Sequence, residues 1–436
     1  MSGNNDSKIP AKSWVIAVSM GYGHQRTAYP LIDVAPGGVF INANDYEGMP
    51  EKDRRLWKNL RQFYEFTSNF EHIPLFGELV FSFLDHFQKI ANFYPRRDLS
   101  KPNFTLRQLF KIIENGWGKH LIDKLSKTPL PLVSTFFVPA FMAEVFNYPG
   151  DIYCVICDAD IARGWVPVNS RQTRIRYFAS THRTAERLES YGVPLKNIIV
   201  TGYPLPKSNI GVGNETVKYD FSHRVLNIDP SHYFRTKYRP LLESQLGALP
   251  RASNHILTIM FSVGGAGAQK EIGAQILASL KDKIMAKKIR LFLASGIKEK
   301  VSSYFQGQIA NNKLSDYLGN NIFIIKGKKL TDYFENFNLA LKETDILWTK
   351  PSELSFYSGL GIPIIIAPPL GSQEKFNKEW LLTIGAGISQ QDPMYVNEWL
   401  FDLLNRGIIA EAALKGYMEV EKRGVFKIEE YLKINK

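Results

Sequence analysis

The stretch WVIAVSMGYGHQRTAYPL, Trp14 to Leu31, decides how the chain reads. Trp14–Val18 is an apolar run too short for a helix and rich in β-branched residues, which predicts a buried strand. Gly21 and Gly23 follow, and glycine permits both a tight turn and a close approach of ligand to backbone. His24 comes next, where a helix should begin. Backbone N–H groups at a helix start lack intrahelical partners and carry partial positive charge, so the spot suits an anionic or oxygen-rich ligand. A histidine there can act as a general base near neutral pH. A glycine turn beside a surface histidine is the plainer reading of the same residues.

The same design returns in HILTIMFSVGGAGAQKEIGAQIL, His255 to Leu277. A strand over Ile256–Val263 runs into a turn holding Gly264, Gly265 and Gly267, then into a helix. A glycine turn feeding a helix is a phosphate-binding arrangement. Its spacing does not match the dinucleotide pattern G-x-G-x-x-G.

Between and after these stretches, strand patterns alternate with helix patterns. GGVFINAND (Gly37–Asp45), PLVSTFFVP (Pro131–Pro139), DIYCVICDAD (Asp151–Asp160), TRIRYFAS (Thr173–Ser180) and NIIVTGYPLP (Asn197–Pro206) read as strands of the first half. Ala140–Phe146 and a segment with Thr181 near its N-cap read as helices. In the second half IRLFLAS, NIFIIKG, DILWTK and PIIIAPP read as strands. Helices are expected at Lys298–Leu318, Leu330–Lys342, Ser352–Ser358 and Gln373–Ile384. Such alternation argues parallel sheets covered on both faces. The expected fold is therefore α/β, with two Rossmann-like, doubly wound parallel-sheet domains facing a cleft between the carboxyl ends of their strands. The boundaries read as 13–205 for the first domain, 206–253 for a linker with one helix around His232–Leu246, 254–390 for the second domain, and 391–436 for C-terminal helices.

A helical, aromatic insert over 51–127 interrupts the first domain. Leu56, Leu60, Phe63 and Phe66 recur at helical spacing, and the apolar run from Ile73 to Tyr94 ends beside Arg96 and Arg97. Helical packing accounts for this pattern. So does an interfacial segment that places aromatics among lipid headgroups, with 56–97 as the surface.

Asp158 and Asp160 fall at the carboxyl end of a strand, where acids can bind metal, orient a hydroxyl or cap a turn. Cys154 and Cys157 share the strand YCVIC, with side chains on opposite faces. No second ligand pair accompanies them, so a buried structural role is expected over redox or metal chemistry.

The 436 residues suffice for two or three domains with full cores. No apolar run is long enough to span a bilayer, and no secretory signal is visible, so a cytoplasmic protein is expected. The net charge of +12 favours anionic partners: nucleic acid, nucleotides or anionic lipid. No nucleic-acid recognition pattern accompanies it, and nucleic acid is not the expected partner.

Four motifs together resemble the GT-B glycosyltransferases, in the branch of the monogalactosyldiacylglycerol synthases, the diacylglycerol glucosyltransferases and the lipid II N-acetylglucosaminyltransferase. They are GYGHQRTA (Gly21–Ala28), CDADIARGW (Cys157–Trp165), GGAGAQ (Gly264–Gln269) and TKPSELSFYSGLGIPIIIAPPLGSQEKFN (Thr349–Asn377). The last is the most specific: T-K, then G-x-P, an apolar strand, a proline, and G-x-Q-E-x-x-N. The aromatic insert sits where lipid-acting members keep membrane-associating helices.

The resemblance implies the following roles. His24 is the catalytic base or positions the acceptor, with Gly21, Gly23, Asp158 and Asp160 on the acceptor side. Gly264 and Gly265 hold the donor diphosphate, Lys350 and Ser352 lie beside it, and Gly267 is a further donor-binding residue. Gln373 and Glu374 bind the donor sugar, with Asn377 and Glu353 among the donor-binding residues. The chain departs from the family at the glutamate that grips the ribose. Counting back from Pro363 gives Phe356 there, counting forward from Thr349 gives Ser358, and Glu353 lies one turn early.

The implied activity is an inverting transfer of a hexose or N-acetylhexosamine from a nucleotide diphosphate sugar, a UDP-sugar by the resemblance, to a lipid or polyprenyl acceptor. Neither a cofactor nor an obligatory metal is expected, because backbone dipoles and basic side chains can offset the charge of the departing diphosphate. A GT-B-fold UDP-sugar 2-epimerase and a non-catalytic sugar-nucleotide or membrane-surface binding protein are the alternatives.

Overall fold

The computed structural model describes residues 12–69, 89–265 and 267–434. The core of the expected membrane-associating stretch, 70–88, lies outside the described residues. The chain divides into two compact units. The first holds Met1–Met20, His24–Pro204 and Arg423–Lys436, and the second Gly21–Gly23 and Leu205–Lys422.

In the first unit the order is β1 (Trp14–Ala17), α1 (Gly23–Ala28), β2 (Ile41–Asn42), α2 (Glu51–Asn69), α3 (Phe104–Glu114) and α4 (Lys119–Ser126). Then come β3 (Leu132–Ser134), α5 (Phe137–Val145), β4 (Ile152–Val155), β5 (Arg176–Ala179), α6 (His182–Ser190) and β6 (Ile198–Val200). The strands form a parallel sheet in the order β2-β1-β3-β4-β5-β6. Every residue of β3 and β4 is buried, as expected for central strands of a parallel sheet covered on both faces. Side-chain caps set two helix starts. Thr181 accepts from the Thr184 N–H to open α6, and Asn103 accepts from the Leu106 N–H to open α3.

The second unit opens with three helices where a linker with one helix is expected: α7 (Lys207–Ile210), α8 (Glu215–Asn227) and α9 (Tyr233–Leu246). The order continues with β7 (Leu257–Ser262), α10 (Lys270–Ser279), α11 (Lys281–Met285), β8 (Ile289–Gly296), α12 (Glu299–Asn311), β9 (Ile322–Lys326), α13 (Leu330–Leu341) and β10 (Ile346–Thr349). A 3-10 helix (Glu353–Leu360), β11 (Ile364–Ile366), α14 (Ser372–Thr383), β12 (Gly387–Ser389), α15 (Val396–Asn405) and α16 (Ile408–Glu419) complete it. The sheet order is β12-β11-β10-β7-β8-β9, again all parallel. The last helix, α17 (Gly424–Ile434), belongs to the first unit. There the Tyr431 ring meets Phe178 edge-on at 5.6 Å, and Phe178 stacks on Tyr153 at 5.2 Å.

Both units are thus Rossmann-like, as the alternation predicts. Each strand order reverses direction once: between β1 and β3 in the first unit, and between β7 and β10 in the second. In open parallel sheets ligands bind outside the carboxyl ends of the strands at such a switch point.

Three local expectations change. The strand expected over Gly37–Asp45 shrinks to Ile41–Asn42, because Gly37 and Gly38 take φ values of +70° and +69° and turn the chain. The helix expected over Ser352–Ser358 is a 3-10 helix. β4 ends at Val155, so Cys154 lies on the strand but Cys157 lies past its end. Both cysteines are buried, and neither is in a disulfide.

Candidate functional site

The switch point of the first unit carries His24. Its Nδ1 lies 2.8 Å from the Thr135 carbonyl oxygen. A carbonyl only accepts, so in the neutral ring Nδ1 carries the proton and Nε2 is the basic nitrogen. Thr135 is the first residue beyond β3. Its hydroxyl contacts the His24 carbonyl at 2.8 Å and the Ile16 carbonyl at 3.3 Å, tying the end of β3 to β1 and the start of α1. The rings of Phe136 and Trp165 flank the imidazole at 4.7 and 6.1 Å, and the Cys157 Sγ stands 3.5 Å from Nδ1. Desolvation lowers the His24 pKa to about 4, with the Thr135 bond opposing it, so the ring is neutral at physiological pH.

The two aspartates differ in environment. Asp160 is buried and bound by Arg187 through Nε at 2.9 Å and Nη2 at 2.8 Å, and it also accepts from the Ile161 N–H. This is the bidentate geometry of a structural ion pair. Asp158 is half-buried, and its backbone carbonyl accepts from the Ser180 hydroxyl. Gly21 has φ +91°, a conformation that favours glycine.

The switch point of the second unit carries the residues read as donor-binding. The Gly267 N–H donates to the Gly264 carbonyl at 2.7 Å, closing a tight turn just after β7 and just before α10. Gly267 has φ +77°. A Cβ at Gly264 would stand 2.8 Å from Cε of Lys350, so the lysine stem lies against the turn. Lys350, one residue past β10, pairs through Nζ with Glu374 Oε1. Glu374 is in the first turn of α14, and its Oε2 accepts from the Leu370 N–H at 2.7 Å. Asn377, also on α14 and buried, donates to the Pro351 carbonyl at 3.3 Å. Ser352 caps the 3-10 helix that begins at Glu353. Gln373 is half-buried on α14, and Gly265 lies in the turn.

Phe356 and Ser358, the two counted positions for the ribose glutamate, are fully buried. Glu353 is therefore the carboxylate this 3-10 helix offers. Among the described residues no three His, Cys, Asp or Glu side chains converge as a metal site. Sequence reasoning missed Thr135 as the anchor of His24, since that role follows only from the adjacency of β1 and β3. It also missed the Lys350–Glu374 pair, although both residues were singled out separately.

A family described as a domain of unknown function (DUF6938) matches residues 249–405, which span the second sheet. The chain is similar to the processive diacylglycerol β-glucosyltransferase of two strains of Staphylococcus epidermidis, each 22% identical over 327 residues. Those matches cover 74% of this chain and 71% of the relative. Among solved structures, the chain is similar to Acinetobacter baumannii MurG, with a TM-score of 0.47, 14% identity, and coverage of 97% of this chain and 99% of that one. It is also similar to S. aureus MnaA in complex with UDP, with a TM-score of 0.47, 13% identity, and coverage of 77% of this chain and 82% of that one. By its 22% identity to the diacylglycerol glucosyltransferase, the chain is glycosyltransferase-like. Among the described residues no helix is long and apolar enough to cross a membrane.

Proposed function

We propose that this chain is an inverting glycosyltransferase that moves a hexose or N-acetylhexosamine from a UDP-sugar to a lipid or polyprenyl acceptor. One observation carries the proposal: a neutral imidazole anchored through Nδ1 to Thr135 at the switch point of a sheet, with Nε2 as its basic nitrogen. The likeness to a diacylglycerol glucosyltransferase supports the choice of a lipid acceptor.

In this reading Nε2 of His24 takes the proton of the acceptor hydroxyl. The freed oxygen attacks the anomeric carbon on the face opposite the diphosphate. The bond from that carbon to the diphosphate oxygen breaks, and the diphosphate leaves with the electron pair. Negative charge grows on the leaving group, and donors fixed in advance around it lower the barrier. The turn at Gly264–Gly267 and the Lys350 ammonium supply those donors. Glu374 keeps Lys350 at the turn until the diphosphate competes for it. An anion close to His24 would raise its pKa from the value in the free chain, bringing its basicity nearer to the working pH.

The epimerase alternative needs several carboxylates available to the sugar. Asp160 is committed to Arg187, which removes one of those carboxylates and favours transfer. Incubating the full chain with labelled UDP-sugars and candidate lipid acceptors tests the proposal, with transfer as the expected outcome. Epimerisation of the donor without acceptor, or UDP binding with no reaction across a broad panel, would refute it and support one of the two alternatives.

A further inference from the structure

The first unit holds a cavity of about 450 Å³ lined by none of the residues assigned to the proposed transfer. Lys89, Arg97, Lys101 and Arg163 line it, and none of the described residues lining it is a carboxylate. Arg163 is the informative member. Only 7% of its surface is exposed, and its guanidinium donates to the backbone carbonyls of Ser100, Val166 and Pro167. Burial lowers its pKa to about 10, so it keeps its charge at neutral pH. Burying a cation costs free energy that carbonyl dipoles offset only in part, and an opposite charge offsets the remainder. Asp98, the carboxylate next to Arg97 in sequence, is turned to other groups. It accepts from Arg171 at 3.0 Å and from the Ser100 N–H at 2.8 Å. The amino end of α3 adds partial positive charge, because its N-cap Asn103 also lines the cavity.

We propose that this cavity is a second anion site, which takes a phosphate-bearing organic molecule through Lys89, Arg97, Lys101 and Arg163. Four cations, with no carboxylate among the described lining residues, match a multiply charged oxyanion better than a single carboxylate. The volume exceeds that of a bare phosphate, and Ile90 and Leu99 give the remainder an apolar wall. The phosphate comes either from a lipid headgroup or from a soluble phosphorylated compound.

Calorimetry with inorganic phosphate, and co-sedimentation with phosphatidylcholine vesicles with and without phosphatidic acid, separate the two sources. The full chain should bind at least one phosphate-bearing probe: phosphate itself, or phosphatidic-acid vesicles in preference to plain phosphatidylcholine. Binding in both formats indicates a site open to either source, and binding to phosphatidic-acid vesicles alone a headgroup. The double variant R97E/K101E should bind about tenfold more weakly or worse, while its binding of UDP is unchanged. The variant K281E/K283E carries the same charge change in the second unit and should match the wild type. Failure of the wild type to bind either probe, or equal losses in the two double variants, would overturn the proposal.

Discussion

Nδ1 of His24 meets the carbonyl oxygen of Thr135 at 2.8 Å across 111 residues of sequence. That bond fixes the tautomer, and it joins the start of α1, which follows β1, to the residue just past β3. A histidine held this way presents the same nitrogen throughout a reaction cycle. Replacing it should therefore remove chemistry while leaving donor binding in place. His24→Ala is expected to lower turnover by about 100-fold or more, with the calorimetric affinity for UDP unchanged.

The low pKa of His24 gives stability a pH signature. The folded chain holds the ring near a pKa of about 4, below the 6.5 of the free side chain. Between these values the unfolded chain binds more protons at this residue than the folded chain does. Its contribution is fully present above about 6.5 and is lost as pH falls toward about 4. Urea midpoints measured across this window should fall more steeply for the wild type than for His24→Gln, which cannot titrate.

Lys350 and Glu374 form the second pairing, between the end of β10 and the first turn of α14. Lys350→Met should weaken UDP binding by about tenfold, because a charge-assisted contact to the diphosphate disappears. Gly264→Ala should act in the same direction through geometry. Its methyl would stand 2.8 Å from Cε of Lys350, and the flexible lysine stem must move aside. The fold should survive both changes, as checked by circular dichroism, with the effect read by calorimetry.

Asp160 and Arg187 give a contrasting case. Both side chains are buried, so removing one charge strands the other. Asp160→Asn should cost about 3–5 kcal/mol in urea unfolding. A loss of activity in proportion to the folded fraction would mark Asp160 as structural. A much larger loss in fully folded protein would return it to the acceptor side.

Much of this was legible in the sequence because local rules suffice for it. The apolar runs before Gly21 and Gly264 are strands, the helices that follow begin where the glycines release the chain, and Thr181 caps its helix as its residue type predicts. What escaped depended on strand order. Thr135 carries no motif, and its bond to His24 exists because β3 lies beside β1. Cys157 looked like a strand residue from the continuous run YCVIC, but the strand stops at Val155. β12 was missed because Gly387–Ser389 is three residues long and its glycine is a poor strand former. The helices α7–α9 fall where the sequence predicts mostly linker, because prolines, glycines and weak periodicity mask the underlying turns.

The most direct test of the account is the transfer of labelled hexose or N-acetylhexosamine from UDP-sugars to diacylglycerol and polyprenyl phosphate in vesicles, with the wild type and His24→Ala assayed side by side at saturating donor. The account predicts product from the wild type and about 100-fold less from the variant. Equal rates from the two proteins, or no product from the wild type with any donor, would contradict it.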